Sequence, residues 1–254
     1  MRGQRSIKQI TETIEPKDVY RMITKYKGTI YSRQNQPSFT CEDHAFLAIS
    51  YLTGGRVTEV CGGLHREVNR KTGQEERLPI DHQGLQRENI TITDKWIEIR
   101  NMPVVKRNQK TIKKHGLQTT QRPPLIYPLT EGVFRNQYYN QYIPFTWLVV
   151  EYLTRYAPEE GKLFRFKSNR AWRICNYYTD QHPHWFRAQA ERFHINYIEQ
   201  NSILHARYMR RLDIDSMANY VDYDYTKEFS ENIRTMDFKW IDSAVAEIKA
   251  RIKL

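Results

Sequence analysis

An Arg, a His, a second Arg and a Tyr, at Arg56, His184, Arg187 and Tyr220, form a set that can hold and attack a phosphodiester. Two guanidinium forks match the non-bridging oxygens of a phosphate. An imidazole adds a hydrogen bond or takes a proton. A phenol, with an ordinary pKa of about 10, becomes a nucleophile when surrounding positive charge stabilises its anion. No cluster of acids has metal-ligand spacing, so no metal and no other cofactor is expected.

Each residue has a local setting. In LTGGRVTEV (52–60) an apolar helix breaks at two glycines and presents Arg56, with Glu59 three residues on to brace its guanidinium. The plainer reading of that segment is a helix end with a surface Arg. In HPHWFRAQAERF (182–193) His184 and Arg187 share one helical face just after Pro183. They are either an anion grip near a helix start or two solvated polar residues beside a Trp-Phe core pair. RRLDIDSMANYVDYDY (210–225) offers Tyr220, Tyr223 and Tyr225, between which the residues alone do not choose. The stretch 106–122 holds Lys106, Arg107, Lys110, Lys113, Lys114, His115 and Arg122 and no acid. A cationic loop of that kind can track a phosphate backbone and bring a Lys to a leaving group.

Arg, then a basic hairpin, then HxxR, then Tyr some thirty residues later, resembles the tyrosine recombinase or phage integrase family. LTGGRVTEV is similar to that family's first-arginine box, HPHWFR to its HxxR box and MANYV to its nucleophile box. LFRFKSNRAWR (163–173) resembles the approach to HxxR in archaeal and phage integrases. The resemblance covers about 16–225. It implies Arg56, His184 and Arg187 as catalytic groups, Glu59 as the supporting acid and Tyr220 as the nucleophile. It also implies a hairpin Lys that protonates the leaving 5′ oxygen: Lys106 first, then Lys110, then Lys71. Arg107, Lys110, Lys113 and Lys114 would contact DNA. The family usually places His or Trp nine residues before the nucleophile. Arg211 stands there, able to donate hydrogen bonds but a departure that bears on cleavage efficiency.

The implied activity is site-specific recombination of double-stranded DNA through a 3′-phosphotyrosyl link, without metal or ATP, in a virus or mobile element. Self-association on DNA, from dimer to tetramer, accompanies it.

Elements must position these groups. Glu15-Pro16-Lys17-Asp18 reads as the start of a helix that ends near Gly28. Thr40 reads as the cap of the next, with Glu42 and Asp43 in its first turn and Phe46, Ile49 and Leu52 along one face. Residues 62–84 read as a polar surface excursion. Ile90–Ile92, Trp96–Ile99 and Leu125–Tyr127 alternate as strands. Helices follow at 144–156, 168–180, 184–200, 202–209, 213–221 and from about 226. In the last, Phe238, Ile241, Val245, Ile248 and Ile252 recur at helical spacing, a stripe for the chain's own core or for a neighbouring protomer. The expected class is α+β, mainly helical, with a small antiparallel sheet packed on helices. The expected division is a polar arm (1–15), a catalytic domain (16–225) and a C-terminal amphipathic helix (226–254). The helical clamp domain that the family usually carries has no counterpart in this reading.

Composition agrees with a nucleic-acid partner. Lys and Arg number 40 against 29 Asp and Glu, a net charge of +11 over 254 residues. Such an excess favours a polyanion, because each neutralised phosphate releases counterions. Three scattered cysteines, Cys41, Cys61 and Cys175, contain no CxxC pair and fit reduced thiols in a cytoplasmic setting. No secretory leader and no membrane-length apolar run is evident. Three rivals stand beside the recombinase: a catalytically weak DNA-binding protein of the same fold, a DNA relaxing enzyme of the type IB topoisomerase kind, and an RNA- or membrane-surface-binding module.

Overall fold

The computed structural model describes residues 13–25, 37–65, 80–103, 124–199, 208–209 and 237–252. Helices α1 (Pro16–Thr24), α2 (Pro37–Thr53) and the short α3 (Val57–Cys61) come first. Strands β1 (Gly63–His65) and β2 (Ile80–His82) pair as an antiparallel ribbon at the base of the expected excursion. Strands β3 (Ile90–Ile92), β4 (Trp96–Ile99) and β5 (Leu125–Pro128) form an antiparallel sheet in that order. Helices α4 (Ile143–Arg155), α5 (Ser168–Thr179), α6 (Pro183–Phe193) and α7 (Trp240–Ile252) follow, with 3-10 turns at Arg87–Asn89 and Gln137–Tyr142 and a π-helical turn at His194–Ile198 where the expected 184–200 helix changes pitch. The helices expected at 202–209 and 213–221 lie outside the described residues except for Tyr208 and Met209. The fold is mainly helical with a small antiparallel sheet, and no described helix is long and apolar enough to cross a membrane.

Helix α2 is the central post. Residues Ala45 to Ile49 and Tyr51 to Leu52 are fully buried, so the helix is covered on all sides rather than along one face. Its sequence explains this, because an apolar helix without a polar stripe has no side to give to water. It packs against α4 and α6. The helix begins at Pro37, so Thr40 lies inside it instead of capping it. Glu42 and Asp43, expected to meet solvent and the helix dipole, are buried. Glu42 accepts from the Arg165 backbone N–H at 2.6 Å and from Arg165 Nε at 3.0 Å, which ties the start of α2 to the segment before α5. Asp43 has no hydrogen-bond partner among the described residues; burial first of all pushes its carboxyl up to about 7.

The sheet follows the alternation in the sequence. Ile97, Ile99, Leu125 and Tyr127 face the core, with Ile97 opposite Tyr127 and Ile99 opposite Leu125. Helix α1 ends at Thr24, short of Gly28. Helix α7 lies on α4 of its own chain. Ile241 and Ile248 are buried, and Phe238, Val245 and Ile252 pack against the same core. The Glu151 carboxylate receives Arg251 Nε at 2.8 Å and Nη2 at 2.9 Å, and Lys17 pairs with Asp237. The C-terminal stripe is thus used within the chain.

Candidate functional site

The Arg56 bend is built from two glycines and one acid. Gly54 ends α2 in the left-handed region at φ +55, and a Cβ there would stand 2.7 Å from Met209 Cε. A Cβ on Gly55 would stand 2.2 Å from Met102 Cε. The left-handed turn at Gly54 favours glycine, and at both positions a side chain would require the facing methionine to move. Arg56 then takes the N-cap position of α3, which the sequence did not suggest as a separate helix. The Glu59 carboxylate, 1% exposed, accepts from the Arg56 backbone N–H at 2.8 Å and from Arg56 Nη1 at 2.9 Å. One buried acid therefore fixes both ends of the arginine. The Arg56 side chain is 35% exposed, and its other guanidinium N–H groups have no partner among the described residues. It is held by its root and open at its fork.

Arg187 reaches the same place from α6. Its Nη1 donates to Gly54 O at 2.6 Å, across 133 positions of sequence. Its Nη2 donates to Met209 O at 3.2 Å. The residue is only 3% exposed. Arg187 is thus a clasp joining the bend that carries Arg56 to the segment holding Met209. Tyr208 reinforces that segment. Its hydroxyl lies 2.7 Å from Leu52 O and 2.7 Å from the Tyr127 hydroxyl, itself 2.8 Å from Leu52 O. The His194 ring stacks on the Tyr208 ring at 3.8 Å and 11°.

His184 lies in the first turn of α6, one turn before Arg187, and opens onto solvent. Desolvation against the protein and repulsion from Arg187, His182 and Arg56 push it down to about 4, opposed by Glu191. His184 is therefore a neutral base at physiological pH, able to accept a proton or a hydrogen bond from an attacking group.

The structure brings together Arg56, Glu59, His184 and Arg187. Lys106, Arg107, Lys110, Lys113, Lys114, Arg211 and Tyr220 lie outside the described residues, as do Lys71, Tyr223 and Tyr225. The sequence reading missed Tyr208 and Met209, whose sequence signal was proximity to the tyrosine-bearing segment, and His194, which follows the helix of His184 and Arg187. No group of His, Cys, Asp and Glu among the described residues could hold a metal ion.

Chemically the site offers an outward guanidinium, a neutral imidazole near it and a buried guanidinium behind, a local concentration of positive charge. No family model matches the chain, no curated protein matches it, and no solved structure matches its fold.

Proposed function

We propose that this chain cuts and rejoins DNA strands as tyrosine recombinases do, on an integrase-type catalytic fold. The convergence of an outward-facing Arg56 fork with His184, which stands one turn before Arg187 in the helix docked at the Arg56 bend, is the observation that carries the reading. In this reading Arg56 grips a non-bridging oxygen of the scissile phosphate. Neutral His184 takes the proton of Tyr220, whose oxygen bonds to phosphorus as the 5′ oxygen departs. A hairpin lysine, Lys106 first, protonates that leaving oxygen. Electrostatic stabilisation of the five-coordinate phosphorus supplies most of the acceleration. The bond energy stays in a 3′-phosphotyrosyl link, so religation needs no ATP.

A nicked suicide duplex tests the proposal. Wild-type protein should leave a covalent adduct on a denaturing gel, and Tyr220→Phe should leave none while still shifting the DNA. An adduct formed by the Tyr220→Phe protein would assign the nucleophile elsewhere.

One observation favours a second reading, a DNA-binding protein with weak cleavage. The Arg187 guanidinium already serves two carbonyls in a buried setting, rather than facing a phosphate. Shifted bands with no adduct from wild-type protein would select that reading.

A further inference from the structure

The outer side of α5 carries Trp172, 51% exposed, among exposed Asn169, Arg173 and Asn176. A single exposed apolar side chain is ordinary. Trp172 differs in its company. Its ring lies 6.0 Å from that of His182 at 27°, and the His182 ring lies 6.3 Å from that of His184 at 15°. Three near-parallel rings therefore run from the surface of α5 to the residue that feels the charge of Arg56 and Arg187. The row depends on a short link. Asp180 caps α5 in the left-handed region at φ 56, which Asp tolerates better than most residues, and α6 starts at Pro183. That link lays His182 between the two helices.

A row of aromatic faces beside guanidiniums is what single-stranded nucleic acid requires. Bases stack on the rings while cations follow the phosphates. A base inside a duplex has both faces covered by its neighbours, so only an unpaired base has a face to offer. The surroundings of Trp172 are cationic and amide-bearing rather than apolar. Among the described residues the other large exposed apolar side chains, Leu64 and Ile126, lie on β1 and β5, so the described surface of α5 shows no apolar patch of the kind a membrane or protein partner would need.

We propose that the Trp172–His182–His184 row stacks an unpaired base of the DNA strand whose phosphate lies at Arg56, which makes a locally unpaired duplex the preferred substrate. This rests on the strand-cutting reading for the position of the phosphate. His184, uncharged at neutral pH, ends the row without adding a third cation.

The test compares two labelled duplexes, fully paired or carrying one bulged thymidine, for binding to the full chain at fixed salt. The wild type should bind the bulged duplex about tenfold more tightly, in line with the stacking of one base on an aromatic ring. Trp172→Ala should bring that ratio to about one, and Trp172→Phe should keep most of it. A wild-type ratio near one, or a tenfold ratio retained by Trp172→Ala, overturns the proposal. Covalent adduct on the suicide duplex is scored in parallel. Adduct with a ratio near one overturns the stacking row and leaves strand cutting standing. A ratio that collapses in Trp172→Ala without any adduct does the reverse. Failure to bind either duplex overturns both. Should Trp172→Ala lose its melting transition, the Trp172 indole N–H resonance of the wild type, assigned with Trp172→Phe, takes its place. It should shift on titration with the bulged duplex, and a resonance that does not move overturns the proposal.

Discussion

Arg56 and Arg187 are the same residue type at the same place, held in opposite ways. Arg56 sits at a helix start, anchored through its backbone and one guanidinium nitrogen to a single buried carboxylate, with a third of its side chain open. Arg187 is almost wholly buried and spends its fork on two backbone carbonyls from distant segments. The first is arranged to meet something from outside. The second is arranged to keep the outside-facing group in register. A pair of arginines that a motif treats as equivalent therefore divides into a presented charge and a structural clasp.

Substitutions separate the two roles. Arg187→Ala removes the donors that reach the carbonyls of Gly54 and Met209, at roughly 1–3 kcal/mol for each buried hydrogen bond lost to a charged donor. It should lower the melting temperature by many degrees and abolish adduct formation together. Unchanged thermal melting would remove the clasp from the account. Arg56→Ala should behave differently, with cleavage in the proposed reaction falling about a hundredfold to a thousandfold, as loss of a transition-state contact does. Its loss of melting temperature comes from the buried Glu59 carboxylate, left without its guanidinium while still holding the residue 56 backbone N–H. Wild-type cleavage by this variant would exclude Arg56 from the phosphate. Gly54→Ala lies between them. A left-handed backbone with a Cβ costs about 1–2 kcal/mol, and the Met209 methyl must also move. Calorimetry should show a moderate loss of stability, and an increase would contradict the packing described.

The smallest effect is electrostatic. His184 should titrate near pH 4 by NMR in the free protein, well below its ordinary value near 6.5. The unfolded chain binds this proton more readily than the folded one. The group's contribution to stability is therefore complete above about pH 6.5 and is lost as pH falls from there toward 4. Saturation with a phosphate-bearing duplex should raise the midpoint, because an anion between the guanidiniums offsets their repulsion. A midpoint that stays put would remove the phosphate from the neighbourhood of His184.

Much of this arrangement was legible because it is periodic. The alternation at Ile90–Ile92, Trp96–Ile99 and Leu125–Tyr127 gave the sheet, and the break at Gly54-Gly55 located Arg56. The three-residue spacing put His184 and Arg187 on one helix. What periodicity cannot carry is which distant group a side chain meets. Nothing local told that Arg187 would turn inward to Gly54 O, or that Glu42 would leave the helix dipole for Arg165. Asp43 misleads for the same reason, since an acid in a first turn looks solvated until the facing helix covers it. The stacked rings of Trp172, His182 and His184 depend on a left-handed Asp180, a conformation that an Asp allows but does not announce.

Met209, pinned by Arg187 and seated over Gly54, is also the fixed end of a leash. Tyr220 stands eleven positions further along the chain. A chain at full stretch gains at most about 3.6 Å per residue, so the Tyr220 backbone stays within about 40 Å of that mooring. In the proposed reaction the phenol would start every search for a phosphate from the same doorstep, and the clasp decides where that doorstep is.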